Sequence, residues 1–406
     1  MKLLVVSHLY PSPGVERHLF VHEQLLALKE LGVEAHVISP TPWVPQVLRR
    51  SERQKRRGEK PREAVRDGIT AEYPRFVQPP RRVLFDRLGD LAYRSVCSLP
   101  SVTAGEYDLI HAHQALPDGA LAQRLAADLR VPWVVTVHGA DVYQHLRMGG
   151  AVEKRTRSVL GAADAVMANS SAVARLLDGV VPAERLSVVL NGTTGLGQIV
   201  QPADDYLPGR PLVLTAGYLI PRKGLKDLVA AAGRLRRRGR TVDVAIAGDG
   251  PLRGELEQQA AAEGVADTVH FLGRVPHARV LQLMARADAF ALPSWDEAFG
   301  LVYTEAMAQG TPVIAGRGEG PEDFIEDGVS GYLVPVRDPD ALAAVLARLL
   351  ADPQEAAAVG EAGRAAALAL SWERNARLTY EVYERVLTGG PAGGRAAGRQ
   401  TAPREP

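Results

Sequence analysis

The stretch Ser294-Trp-Asp-Glu-Ala-Phe-Gly-Leu-Val-Tyr-Thr-Glu305 carries two glutamates, Glu297 and Glu305, eight positions apart. It follows an apolar run, Ala289 to Leu292, and leads into a helix that starts near Gly300. Glu297 then sits just before that helix and Glu305 inside it. Paired carboxylates suggest a glycosidase acid and nucleophile, but eight helical residues span ~12 Å. A retaining pair stands ~5 Å apart and an inverting pair at most ~9.5 Å. The spacing suits the two ends of an extended ligand, one carboxylate on a sugar hydroxyl and the other on a ribose diol. Between them, the N–H groups of Phe299, Gly300 and Leu301 would point out of the helix start, a seat for a diphosphate. The plainer alternative is a pair of solvated carboxylates favoured by the helix dipole.

A second cluster is Gly217-Tyr-Leu-Ile-Pro-Arg-Lys-Gly224. Glycines and two cations, Arg222 and Lys223, ahead of a helix read as a phosphate cradle. The spacing is not that of a P-loop, and Gly248-Asp-Gly-Pro lacks the glycine order of a dinucleotide fingerprint, which disfavours a nicotinamide dehydrogenase. Val137-His138-Gly-Ala-Asp141 directly follows another strand, so His138 is placed to meet a sugar hydroxyl or a phosphate. His111 and His113 also end a strand. A His-x-His pair invites a metal, but no third ligand stands at suitable spacing, and packing or capping is the better reading.

These loops need strands and helices to hold them. Short β-branched runs, turns and amphipathic stretches alternate from Leu3 onward, which argues for parallel sheets covered on both faces. Val21, Leu25, Leu28 and Leu31 give the first helix its stripe. At 191–210 the alternation breaks into Asn-Gly-Thr-Thr-Gly and Pro-Gly turns, a linker. It restarts at Leu212, with a helix over Leu225 to Arg237. The last helix ends near Leu387, and residues 388–406 read as a disordered tail. Two doubly wound units in tandem would leave a cleft for ligands at their strand ends.

Composition sets the outer limits. The 406 residues are 46% hydrophobic and 23% charged, with 48 basic against 47 acidic side chains. The chain as a whole is therefore no polyanion binder, and nucleic acid is not an expected partner. Cys97 is the only cysteine, which excludes an intrachain disulfide and fits a reducing cytoplasm. The N-terminus lacks the apolar length of a signal segment, and no run reaches the ~18 residues needed to span a bilayer. Charge is concentrated in segment 49–66, which holds nine basic and three acidic residues without an aromatic. It reads either as a solvated helix or loop, or as an arm for anionic lipid or a phosphate-bearing acceptor. The following stretch, Phe76 to Val96, mixes Arg with apolar residues and could lie at the same surface.

With these residues in place, the chain resembles the retaining glycosyltransferases of family 4 (glycosyl transferases group 1). The resemblance runs from Leu3 to about Leu387. It rests on the Glu297 to Glu305 stretch, Pro-Arg-Lys-Gly224, Ala-Gly-Asp-Gly-Pro-Leu, Phe-Leu-Gly273 and Glu-Asp-Gly-Val-Ser-Gly331. In the first half it rests on Pro11 to Gly14, Val-His138-Gly and Ala-Asn169-Ser-Ser. The resemblance implies an α/β fold of GT-B type: two Rossmann-like doubly wound parallel-sheet domains facing across a cleft. The first is expected over 1–190 as the acceptor domain, joined by a crossover helix at about 371–387. The second, over 211–370, would bind the donor.

By the same resemblance, Lys223 binds donor phosphates, Glu305 the ribose, Glu297 the sugar hydroxyls, and Phe299, Gly300 and Leu301 the diphosphate. Gly14 lets the backbone approach that diphosphate, and His138 lies by the transferred sugar. Asp141, Asn169 and Glu322 are weaker candidates for sugar or acceptor contact. Three departures stand out. Tyr218 replaces a usual Arg, so the second phosphate charge either comes from Arg222 or is absent. Asn191-Gly-Thr-Thr lacks a usual acid, and Glu319-Gly-Pro-Glu322-Asp replaces a more usual single-acid loop, with Glu322 preferred of two aligned carboxylates.

The expected reaction moves a hexose-type sugar from a UDP- or GDP-sugar to a carbohydrate, lipid-linked or small-molecule acceptor, with retention and without metal or cofactor. A nucleotide-sugar epimerase or a phosphorylase on the same fold, or a binding-only relative, are the competing readings.

Overall fold

The computed structural model describes residues 1–13, 19–43, 45, 60–79, 83–193, 200–203, 206 and 209–389. Gly14 and residues 49–59 of the basic segment lie outside these, as do 390–406 of the tail. The chain divides into two compact units. One holds Met1–Gly192 and the chain from Trp372 onward, and the other holds Thr193–Ser371.

In the first unit the strands are β1 (Lys2–Val6), β2 (Glu34–Ile38), β3 (Thr41–Trp43), β4 (Glu63–Arg66), β5 (Ile69–Glu72), β6 (Arg75–Val77), β7 (Leu109–His113), β8 (Trp133–Val137), β9 (Ala165–Ala168) and β10 (Leu186–Val188). The main sheet runs β10-β9-β8-β7-β1-β2-β5-β4, and β3 pairs with β6 separately. All pairs are parallel except β4–β5. Val and Leu dominate β1 and β8, because helices cover both sides, while β7 carries His111 and His113 on one buried face. The helix Phe20–Glu30 buries Val21, Leu25 and Leu28, while Leu31 falls at its exposed end. The helix Trp372–Leu387 packs on this unit, where Gln24 donates to Asn375 Oδ1 (2.7 Å) and Asn375 donates to Leu190 O (2.7 Å). Gly192 is a glycine because a Cβ there would lie 2.5 Å from the Trp372 ring.

One expectation changes here and another is narrowed. The C-terminal part of the basic segment is an edge strand, not a helix or loop: β4 turns through Asp67-Gly68, both at positive φ, into β5. Such a two-residue turn matches the twist of paired strands. The stretch after Phe76 is divided: Val77, Val83 and Leu84 are exposed, whereas the part beyond them is packed. Its helix Leu88–Val96 buries Leu88, Ala92 and Val96 inside the unit.

The second unit contains β11 (Leu212–Ala216), β12 (Asp243–Ala247), β13 (Val269–Gly273), β14 (Ala289–Leu292), β15 (Val313–Gly316) and β16 (Tyr332–Val334), ordered β13-β12-β11-β14-β15-β16 and all parallel. The helix Leu225–Arg237 covers the sheet with Leu228 and Leu235 fully buried, each contributing roughly 1.5–3 kcal/mol. Asp338 caps the helix Pro339–Leu349 by accepting from Asp340 and Ala341 N–H. Strand order reverses between β11 and β14, so the loops after these two strands open side by side at their carboxyl ends. That is where ligands settle in open parallel sheets. No helix among the described residues is long and apolar enough to cross a membrane.

Candidate active site

The loops after β11 and β14 bring Lys223 and Glu297 together. Lys223 Nζ stands 2.5 Å from Glu297 Oε2, with only 13% and 10% of the two side chains exposed. Backbone sterics press the loops into contact. Gly224, at φ +65°, caps the cationic turn, and a Cβ there would lie 2.2 Å from Pro293 O. Arg222 donates to Asp296 O (3.1 Å) and its own carbonyl accepts from Trp295 N–H (2.8 Å). Arg222 thus fastens one loop to the other as well as adding charge. Tyr218 projects into solvent at 58% exposure.

Glu297 is held from three sides. Ser294 Oγ donates to its Oε2 (3.2 Å), its N–H donates to Glu319 Oε2 (2.8 Å), and its carbonyl accepts from Gly320 N–H (2.9 Å). Ser294 Oγ shares its one proton between that carboxylate and the Tyr303 oxygen (2.7 Å), while the Tyr303 hydroxyl donates to Leu292 O. The helix Leu301–Ala308 begins after Gly300 at φ +85°, where a Cβ would also meet the Tyr303 ring at 2.5 Å. Among the described residues, no acceptor takes the N–H of Phe299, Gly300 or Leu301. Phe299 is buried against Phe324. Glu305 lies one turn into the helix and meets His277 Nε2 at 3.1 Å.

The arrangement can therefore offer one cation, a row of amides and two carboxylates along an extended anionic ligand. Among the described residues, no group of three or more His, Cys, Asp or Glu is placed to hold a metal ion.

Sequence reasoning preferred Glu322 in the loop that begins at Glu319. Of the aligned carboxylates, Glu322 turns back to Gly318 N–H (2.8 Å), and it is Glu319 that touches the Glu297 backbone. Burial raises the Glu319 carboxyl above its ordinary range, against the amide hydrogen bonds that lower it.

In the first unit, His138 follows β8 and its Nε2 lies 3.0 Å from His113 Nδ1. Asp141 is not placed for sugar contact. It is fully buried and accepts from Ala115 N–H (2.6 Å) and His138 N–H (3.3 Å), tying the loops after β7 and β8 together. His111 is packed inside, between Tyr383 OH (2.7 Å) and Thr136 Oγ1 (2.8 Å). Asn169, at the end of β9, is buried with its Oδ1 unpartnered among the described residues. The adjacent Ser170 caps the following helix through Val173 N–H (3.1 Å).

Burial pushes the Asp141 carboxyl up to about 6 from 3.8. A group with a raised folded value binds its proton more tightly when folded. Its contribution to stability is most favourable below pH ~4, declines as pH rises to ~6, and stays low above that. Wild type is therefore expected to lose ~3 kcal/mol relative to Asp141→Asn between pH ~4 and ~6.5. Denaturant titrations of both proteins across that range check it. A difference that does not change with pH would remove the assignment.

Residues 204–366 match the family model described as Glycosyl transferases group 1, and residues 14–194 match that described as Glycosyltransferase Family 4. A D-inositol 3-phosphate glycosyltransferase of Nocardia farcinica (strain IFM 10152) is 34% identical over 322 residues, 73% of this chain and 71% of that protein. A GDP-mannose-dependent alpha-(1-6)-phosphatidylinositol monomannoside mannosyltransferase of Mycolicibacterium smegmatis is 41% identical over 182 residues. That match covers 42% of this chain and 47% of that protein, so it spans about half of the relative's length. Among solved structures, a sucrose-phosphate synthase from Thermosynechococcus elongatus superposes with a TM-score of 0.75 at 24% identity, over 96% of this chain and 100% of that one. This likeness shows a common fold.

Proposed function

The chain belongs to glycosyltransferase family 4, within the glycosyl transferases group 1, and has the GT-B fold; from that premise we propose that it moves a hexose-type sugar from a nucleoside diphosphate sugar to an acceptor hydroxyl, with retention and without a metal. The observation that carries this reading is the Lys223–Glu297 pair at 2.5 Å beside the helix start at Leu301.

In this reading the donor diphosphate takes Lys223 and the amides of Phe299 to Leu301. Glu305 holds the ribose, and Glu297, released from Lys223, holds a sugar hydroxyl. The bond between the anomeric carbon and the phosphate oxygen breaks with its electron pair on the phosphate. The acceptor oxygen bonds to the anomeric carbon on the same face, and its proton passes to the departing phosphate oxygen. Lys223 and the helix amides stabilise the charge that develops there, the chief source of acceleration in such a step. His138 of the first unit contacts the transferred sugar.

The donor base is uracil or guanine, and the acceptor is a carbohydrate, a lipid-linked glycan or a small polyol. The names of the two curated relatives, both acting on inositol-containing acceptors, support the polyol and glycolipid classes. The enzyme works in the cytoplasm, and basic segment 49–66 meets an anionic membrane surface. Salt-sensitive cosedimentation with anionic vesicles, lost on deleting that segment, checks the membrane contact.

A thermal-shift screen of UDP, GDP and ADP sugars tests the donor class. The matching nucleotide at 100 times its dissociation constant adds ~2.7 kcal/mol. Product from that donor should keep the anomeric configuration by NMR. Inverted product, or no nucleotide that shifts the protein, would overturn the reading.

A further inference from the structure

Glu319 lies in the segment that leaves β15, partly buried against the loop that carries Glu297. Two glycines let the two backbones meet. A Cβ at Gly316 would lie 2.3 Å from Ser294 O, and one at Gly320 would lie 2.2 Å from Ala298 O. In that seat the backbone of Glu297 is bonded on both sides. Its N–H donates to Glu319 Oε2 (2.8 Å), and its carbonyl accepts from Gly320 N–H (2.9 Å). The Asp296 amide hydrogen-bonds the same carboxylate.

Asp296 itself stands at φ +54°. Few residues other than glycine adopt that region, and they keep it where their surroundings hold them there. Successive N–H groups about such a residue form a concavity that seats an anion. Here the chain supplies the anion itself, the Glu319 carboxylate.

The clamp matters most once a donor is bound. Before that, Lys223 (2.5 Å) and Ser294 (3.2 Å) hold the Glu297 side chain. In the proposed reaction the donor diphosphate draws Lys223 away, and the backbone clamp is then what keeps Glu297 in place. The helix start has anchors of its own. Phe299 is buried against Phe324, and Gly300 fits against the Tyr303 ring.

We propose that Glu319 is a positioning residue: its carboxylate fills the N–H concavity at Asp296 and Glu297 and so aims the Glu297 side chain at the transferred sugar. This rests on the proposed contact between Glu297 and a sugar hydroxyl. The diphosphate seat, built on Lys223 and the helix start, does not depend on Glu319.

The test uses full-length enzyme with UDP- and GDP-sugars. Glu319→Ala should lower kcat by about 10–100-fold, the effect of a small misplacement at a reacting centre. Affinity for UDP or GDP should stay within about twofold. Acetate matches the part of the side chain removed, so it should restore kcat with increasing dose, whereas chloride at equal ionic strength should not. Independently of activity, acetate should raise the melting temperature of Glu319→Ala more than chloride does, and it should not do so for wild type. Wild-type kcat in folded Glu319→Ala would overturn the proposal. So would nucleotide affinity lost together with kcat, or a variant that acetate neither stabilises nor reactivates. If Glu319→Ala does not fold, Glu319→Asp decides, because its carboxylate stops one methylene short. Lowered kcat with unchanged nucleotide affinity then supports the clamp, and wild-type kcat removes it. An inactive wild type would count against the proposed reaction, and the acetate-dependent melting shift would still decide the clamp.

Discussion

Lys223→Ala is expected to lower kcat/KM about a thousandfold, close to 4 kcal/mol of transition-state stabilisation. The position of the lysine explains the size of the effect. It ends a turn at the carboxyl end of β11, beside the point where strand order reverses, and Gly224 presses that turn against Pro293 of the neighbouring loop. The ammonium is therefore delivered to one place with little freedom, and only 13% of the side chain is exposed. A positioned charge in a partly dehydrated pocket acts more strongly than the same charge in water. The charge it answers, on the departing diphosphate, grows as the glycosidic bond breaks, so kcat should suffer as well as donor affinity.

Folding should survive. Losing the pair leaves Glu297 with Ser294 as a partner, at a cost of roughly 1–3 kcal/mol, against the 5–15 kcal/mol typical of a native chain. Steady-state kinetics, nucleoside diphosphate titration and circular dichroism check the three parts. Wild-type turnover in a folded Lys223→Ala protein would end the phosphate assignment. Lys223→Arg is not a neutral control, because a planar fork cannot replace a point charge in a turn this tight.

How much of this was readable beforehand depends on the range of each interaction. The helix Leu225–Arg237 and most of the sheet strands announce themselves through local periodicity and apolar runs. Strand β4 does not. Its four residues, Glu-Ala-Val-Arg, sit on an edge where charge is tolerated, and in a basic segment they look like more of the same. The signal was Asp67-Gly68, a turn pair that was passed over.

Lys223 and Glu297 stood out because they lie in segments that directly follow strands, and Glu305 because it stands eight positions on, inside the helix that continues one of them. Glu319 did not, because its partner is the backbone of a residue 22 positions earlier. No sequence spacing encodes that approach; it needs β14 and β15 paired in register. His113 is intermediate. The alternation of His111 and His113 was visible, but the partner of His113 is His138 at the end of the adjacent strand. A metal test asked for a third ligand in sequence, whereas the useful neighbour was across the sheet. Asp141 shows the reverse error. A carboxylate beside a promising histidine looked like a sugar contact, and burial makes it the clamp that sets the loop.

Glu297→Gln separates the two roles this carboxylate holds. Glutamine keeps the shape and can still accept from Ser294, but it removes the charge that pairs with Lys223. If Glu297 holds a sugar hydroxyl in the transition state, kcat should fall by about 10²–10³-fold, because a charged acceptor contributes more than a neutral one. Nucleoside diphosphate without the sugar should behave oppositely. In wild type it must draw Lys223 away from Glu297, and in Glu297→Gln that competition is gone. Its affinity should therefore rise in Glu297→Gln, whereas Lys223→Ala weakens it. The two substitutions move transfer in one direction and diphosphate binding in two. Their combination should cost far less than the product of the single effects, as expected for groups that act as a unit. Calorimetric titration with UDP and GDP, set beside the kinetics, decides it. Should Glu297→Gln weaken the nucleotide as much as Lys223→Ala does, Glu297 would serve only to aim the lysine, and its contact with the sugar would have to be given up.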